Sequence, residues 1–99
     1  MIKKEAIPSS DRVLVTFEYA AAMRATSVHL VGDFNDWNET VAPMKLDARR
    51  SLWTLQLELD RGKDYQFRYL VNGRDWHNDW HADKYRLNKY GTDNSVVCT

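Results

Sequence analysis

The sequence predicts an all-β protein in which two antiparallel sheets pack face to face. Three observations predict this class. Apolar and polar residues alternate with a period of two in several segments, turn residues separate those segments, and no segment of ten or more residues carries an amphipathic helical stripe. The pattern indicates an immunoglobulin-like sandwich, although alternation alone does not separate a sandwich from a closed barrel. A chain of 99 residues makes one small domain.

The first two strands are predicted in the N-terminal third of the chain. In residues 13–19 every second side chain is apolar, so one face is expected to carry Val13, Val15, Phe17 and Tyr19. The Ala-rich stretch 20–25 is too short for a stable helix and is interpreted as a connection. A second strand is predicted over residues 28–31 and ends at a Gly-Asp turn signal.

The clearest alternation lies in residues 53–59, and residues 65–71 repeat it. In the second of these strands Tyr65, Phe67 and Tyr69 are expected to face the core, and Arg68 is expected to face outward. Asn72-Gly73 follows, and both residue types tolerate positive φ, which predicts a type I′ hairpin. A short last strand is predicted over residues 95–97.

The predicted domain boundary lies near residue 10. Residues 1–10 contain Pro8-Ser9-Ser10 and no alternation, so we expect them to form a flexible N-terminal arm. Residues 11–99 are then expected to form the whole sandwich.

Charge and processing signals exclude several classes of function. Fourteen basic and fourteen acidic residues cancel and are interspersed along the chain, so the sequence predicts neither a nucleic-acid nor a membrane-surface partner. No signal peptide or transmembrane span is predicted, and the single cysteine, Cys98, excludes an intrachain disulfide. We therefore expect a cytoplasmic protein.

The twelve aromatic residues are more than a core of this size needs. Seven are expected in the core, six from the strands above and Phe34 from the turn after the second strand. The other five lie in turn-rich segments dense in Asn, Asp, His and Gly: Trp37, Trp76, Trp80, Tyr85 and Tyr90. A flat exposed ring beside amide, guanidinium and hydroxyl groups suits a sugar, whose faces are apolar and whose rim carries hydroxyls. Alternatively, these rings cap the ends of the sandwich.

Residues 28–38, VHLVGDFNDWN, carry a recognisable motif: a strand, Gly, then Phe-Asn-x-Trp. The motif resembles carbohydrate-binding module family 48, which includes the N-terminal domain of isoamylases and branching enzymes and the glycogen-binding domain of the AMP-activated kinase β subunit. The resemblance continues through Trp53, the segment YQFRYLVNG at 65–73, Trp76 and the segment YGTDNSV at 90–96, and covers roughly residues 12–98. It implies an early-set immunoglobulin-like sandwich.

The resemblance also implies a function and a set of site residues. Glycogen-binding members of the family lay a glucan against two tryptophans, which correspond here to Trp37 and Trp76, and Arg68 stands where a basic residue hydrogen-bonds the sugar. Their contacts near the end of the module correspond to Tyr90, Thr92 and Asn94. The chain is thus expected to be a non-catalytic module without a cofactor that binds an α-1,4-glucan, glycogen-like or starch-like, or a maltooligosaccharide.

Three other interpretations compete with this one, and only the first stays open. The fold is also suited to a protein-interaction module that has lost the sugar site and docks onto a glycoside hydrolase or another glycogen-metabolism protein, or self-associates. The alternating set His77, Asp79, His81 and Asp83 has metal-ligand chemistry, but such sets are common in polar loops and no metal site is predicted. Asp33 and Asp36 could form the pair of carboxyl groups that a glycosidase uses. The acid catalyst of such a pair needs a raised pKa, however, and a solvated loop does not raise it.

Overall fold

The structure, a computed structural model, describes residues 1–21 and 25–99. Residues 22–24 of the predicted Ala-rich connection lie outside the described residues. The described residues form a single turn of 3₁₀ helix, Asp33–Asn35, and the strands β1 (Ile2–Ala6), β2 (Arg12–Tyr19), β3 (Val28–Gly32), β4 (Lys45–Asp47), β5 (Leu52–Asp60), β6 (Asp64–Val71), β7 (Asp75–His77), β8 (Lys84–Leu87) and β9 (Asp93–Cys98). No helix in these ranges is long and apolar enough to cross a bilayer.

The strands form two antiparallel sheets. The first has the order β1-β2-β5-β4, and the second has the order β3-β6-β9-β8, with β7 also paired to β6. The predicted all-β antiparallel sandwich is therefore confirmed. β3 pairs with one edge of β6, and β9 and β7 pair with successive parts of its other edge, so β6 lies inside the second sheet.

The core lies between the sheets and contains the side chains that the alternation places there. Val13, Val15 and Phe17 of β2 are buried against Phe67 and Tyr69 of β6 in one cluster. The Phe17 and Phe67 rings meet edge to face with 5.1 Å between centroids, and the Tyr19 and Tyr69 rings stack at 4.5 Å. All seven aromatic residues predicted for the core belong to this cluster or pack against it.

The hairpin after β6 has the predicted geometry. Asn72 and Gly73 have φ values of +56° and +67°, and the Arg74 N–H donates to the Val71 carbonyl oxygen at 3.1 Å. The Asn72 side chain also accepts a hydrogen bond from the Thr26 N–H at 2.7 Å, which fastens the turn to the residues before β3.

The prediction of a flexible arm over residues 1–10 is wrong for Ile2–Ala6. These residues form β1, which pairs with β2 from Ile2 opposite Phe17 to Ala6 opposite Val13. Only Ile2 packs against the core, so the strand carries no alternating apolar pattern. Lys4 donates instead to Asp83 at 2.7 Å and to the Cys98 carbonyl at 3.0 Å, which joins this edge to the second sheet.

Three further strands, β4, β7 and β8, are absent from the sequence prediction. Each has three or four residues, and their side chains are exposed or half-buried. A strand of this length has too few buried residues to show a period of two.

Glu18 is a buried carboxylate on the outward side of β2, with only 3% of the residue exposed. It accepts a hydrogen bond from Arg50 at 2.5 Å and lies 3.4 Å from the Lys3 ammonium. Burial raises the pKa of Glu18, but the polar contacts and charges of Arg50 and Lys3 together outweigh burial, so the pKa is lower than its ordinary value. Ionised Glu18 therefore stabilises the folded state.

We expect Glu18→Gln to reduce the free energy of unfolding by about 1.5–3 kcal/mol at pH 7, the range for hydrogen bonds to charged groups. Because folding depresses this pKa, the contribution is fully present above the unfolded-state pKa of about 4.3 and is lost as the pH falls through the folded-state value. Urea unfolding of both proteins between pH 7 and pH 2.5 tests this expectation. A stability difference that stays constant over that range would contradict it.

Candidate functional site

An open groove of about 890 Å³ runs across the second sheet. The floor of the groove is the outward face of this sheet. Arg68 lies on that face, because its neighbours on β6, Phe67 and Tyr69, point into the core. All six residues singled out in the sequence line this one groove: Trp37, Arg68, Trp76, Tyr90, Thr92 and Asn94.

Trp37 forms one wall and is held by the loop that follows β3. Gly32 makes the loop possible, because a Cβ there would lie 2.5 Å from the Gln66 carbonyl oxygen of the adjacent strand. The Trp37 N–H donates to the Gly32 carbonyl at 2.9 Å, and Trp37 itself has a φ of +58°. Its indole Nε1–H donates to Asp33 Oδ1 at 2.9 Å, while Asp33 Oδ2 accepts from the Gln66 N–H at 2.7 Å. The ring is thereby tied to β6.

Trp76 forms a second wall. It lies in β7 directly opposite Leu70 of β6, so both side chains lie on the outward face of the sheet. The hairpin at Asn72-Gly73 fixes this register. Trp76 is 40% exposed, which leaves part of its ring open to a ligand.

Arg68 lies in the floor with most of its guanidinium group engaged. Its Nε–H donates to Asn94 Oδ1 at 2.8 Å, and Nη2 donates to Thr92 Oγ1 at 2.8 Å and to the Asp93 carbonyl at 2.5 Å. Among the described residues, Nη1 has no hydrogen-bond partner. The guanidinium plane is therefore fixed, and two of its five N–H groups are available to an incoming acceptor.

Thr92 and Asn94 lie beside Arg68, and each has part of its hydrogen-bonding capacity left. The Thr92 Oγ1 atom accepts from Arg68 and from Asn88, which leaves its O–H free to donate. Asn94 is only 7% exposed; its Oδ1 accepts from the same two residues, and its Nδ2 donates to Gln66 at 3.1 Å. At most one Asn94 N–H is available to a ligand.

Tyr90 forms the outer end of the groove on the turn between β8 and β9. It is 79% exposed, and the Lys89 ammonium lies 5.2 Å from the centre of its ring. The ring faces solvent and can contact a ligand along one side.

Six lining residues were not singled out for the site from the sequence: Asp33, Glu39, Gln66, Leu87, Asn88 and Lys89. The sequence could have indicated Gln66, since it precedes Arg68 by two residues on the same face of a predicted strand. No sequence pattern indicates the turn residues Asn88 and Lys89, because polar residues are ordinary in turns. Two acidic and two basic side chains line the groove, so its charges balance.

The alternating set at residues 77–83 does not form one cluster. β7 ends at His77, and Asp79 then turns inward to accept a hydrogen bond from the buried Tyr69 hydroxyl at 2.7 Å. Asp83 instead accepts from Lys4 and from the Cys98 N–H. In the part of the chain that the structure describes, no three His, Cys, Asp or Glu side chains are placed to hold a metal ion.

The sequence profile of carbohydrate-binding module 48, the isoamylase N-terminal domain, matches residues 7–91. The chain belongs to this family. Family 48 modules bind carbohydrate and are not catalytic, and their immunoglobulin-like early-set fold is the sandwich described above.

This module is also similar to part of a curated enzyme. In an alignment of 85 positions that covers 84% of the chain, it is 35% identical to a 1,4-alpha-glucan branching enzyme GlgB of Butyrivibrio fibrisolvens. The matched region is only 13% of the length of that enzyme. The similarity therefore concerns the small module and not the enzyme as a whole.

Proposed function

We propose that this module binds an α-1,4-glucan, of the glycogen or starch type, in the groove across the second sheet. The observation that most supports the proposal is that Trp37, Trp76 and Tyr90 surround one polar floor that contains Arg68. The similar enzyme, a 1,4-alpha-glucan branching enzyme, supports the same substrate class.

The chemistry of the groove fits two parts of a sugar. The indole rings offer flat apolar surfaces to the C–H faces of glucose units. The free Nη1 edge of Arg68 and the Thr92 hydroxyl offer donors to hydroxyl oxygens at the rim. Because Arg68 is already fixed by its neighbours, binding orders few additional side-chain torsions.

An open groove with a few such contacts is expected to bind weakly. Dissociation constants for a short maltooligosaccharide are expected between micromolar and millimolar, since dispersed contacts of about 1 kcal/mol each must offset the cost of association. A polymer presents many sites, so retention on glycogen is expected to exceed what a single short chain achieves.

Affinity electrophoresis tests the substrate class. The wild-type module is run through native gels that contain glycogen, amylopectin, hydroxyethyl cellulose or no polymer. We expect retardation by the two α-linked polymers and free migration with the β-linked polymer. Equal migration in all four gels would contradict the proposal.

One observation favours the alternative function as a docking module. Trp80 is 88% exposed and does not line the groove, so glucan binding in the groove does not explain why this large apolar ring is exposed. Light scattering from about 10 μM to 1 mM tests self-association, with Trp80→Ala as the matched variant. A mass that rises with concentration in the wild type and stays monomeric in the variant would support docking.

A further inference from the structure

Asn88 lies in the turn between β8 and β9, and its side-chain amide uses its whole hydrogen-bonding capacity. Its Oδ1 accepts from the Tyr90 N–H at 2.9 Å and from the Thr92 N–H at 3.2 Å. Its Nδ2 donates to Thr92 Oγ1 at 2.8 Å and to Asn94 Oδ1 at 3.2 Å. An amide group has two acceptor and two donor positions, and all four are filled here.

The two donor contacts end on the atoms that hold Arg68. Thr92 Oγ1 and Asn94 Oδ1 are also the acceptors for Arg68 Nη2 and Nε. Asn88 thus fixes the direction of both oxygens that orient the guanidinium group. Its acceptor contacts fix the turn that carries Tyr90, so one side chain joins the floor of the groove to its outer end.

Backbone hydrogen bonds also close this turn, so its closure does not depend on the two hydrogen bonds that the Asn88 side chain donates. The Asn88 N–H donates to the Thr92 carbonyl at 2.7 Å, and the Gly91 N–H donates to the Asn88 carbonyl at 3.2 Å. Asn38 offers a comparison, because its Oδ1 accepts from the Thr40 N–H and hydroxyl, both at 2.9 Å. In the described residues the Asn38 amide donates to no side chain, so it closes a local turn without a link to the groove floor.

We propose that Asn88 is a positioning residue that holds the Arg68 guanidinium group in its sugar-binding orientation by donating to Thr92 and Asn94. The role in sugar binding rests on the proposed function. The role in holding Arg68 is a property of the free protein, so it can be measured without any ligand.

The first experiment measures hydrogen exchange of the Arg68 Nε–H by NMR in the free protein. Asn88→Asp keeps the oxygen acceptors of the turn and removes both donors. We expect exchange to be about fivefold faster in this variant and in Asn88→Ala, the ratio that corresponds to one ordinary net hydrogen bond. Asn38→Ala is the matched control and is expected to leave the rate unchanged. A wild-type rate in both Asn88 variants would overturn the proposal.

The second experiment measures maltoheptaose affinity by calorimetry in a double-mutant cycle with Arg68→Ala. We expect Asn88→Asp to weaken binding about fivefold to tenfold in the wild-type background and by less than twofold in the Arg68→Ala background. An equal loss in both backgrounds would mean that Asn88 acts only on the turn. If the wild type binds no maltoheptaose, the proposed function fails, while the exchange experiment still decides whether Asn88 holds Arg68.

Discussion

Replacement of Asp79 by alanine is expected to lower the free energy of unfolding by about 3 kcal/mol, a large part of the total for a domain of this size. Asp79 is 2% exposed. Its Oδ2 accepts from the Tyr69 hydroxyl at 2.7 Å and from the Met1 ammonium at 2.8 Å, and its Oδ1 accepts from the His81 N–H at 2.7 Å. Alanine would leave the buried Tyr69 hydroxyl without this partner, which costs more than the hydrogen bond itself contributes.

Urea unfolding followed by tryptophan fluorescence measures this effect. Asp75→Ala is the matched control, because Asp75 is an exposed carboxylate 4.0 Å from Arg74 and its loss is expected to change stability by less than about 0.5 kcal/mol. Tyr69→Phe removes the hydroxyl and keeps the ring, so it is expected to cost less than Asp79→Ala. Equal stability of the two aspartate variants would show that the buried network around Asp79 contributes little.

The second large effect is expected at Trp37. We expect Trp37→Ala to weaken α-glucan binding about 10- to 100-fold, since truncation of an aromatic side chain that anchors a ligand costs on the order of 1.4–3 kcal/mol. The loss is large because the ring is oriented in advance by Asp33 and is not free to rotate away. Calorimetry with maltoheptaose gives the dissociation constants.

The control for this experiment is Trp80→Ala, which removes a more exposed indole that lies outside the groove. It is expected to leave the affinity within a factor of two. Thermal melting of both variants separates lost binding from lost folding. If Trp80→Ala weakens binding as much as Trp37→Ala, the glucan does not lie in the groove.

The fold class could be predicted because each main strand buries one face, and this burial produces alternating apolar and polar residues in the sequence. Val13, Val15 and Phe17 are buried by the same alternation that the sequence displays, and Arg68 faces outward for the same reason. The edge strand β1 shows no such alternation, because only Ile2 packs against the core. The strand is otherwise held by backbone pairing and ion pairs. Alternation predicts only strands that bury a whole face.

The resemblance to the family singled out six residues, and the fold brings all six to one groove, but their hydrogen bonds to one another were not predicted. The role of Asn94 as a sugar contact stays a prediction, and most of its amide is occupied by Arg68, Asn88 and Gln66. Hydrogen bonds between residues distant in the chain, such as the bond from Arg68 to Asn94, have no sequence period. They become visible only when β6 and β9 are placed side by side.

The proposed binding of a glucan in the groove is tested most directly by the indole NMR signals of the four tryptophans. Trp37 and Trp76 line the groove, Trp53 packs against the core, and Trp80 is exposed elsewhere. During titration of the ¹⁵N-labelled module with maltoheptaose, we expect the Nε1–H signals of Trp37 and Trp76 to shift together with the Arg68 Nε–H, while those of Trp53 and Trp80 stay in place. A titration that moves the Trp80 signal and leaves Trp37 and Trp76 unchanged would contradict the account.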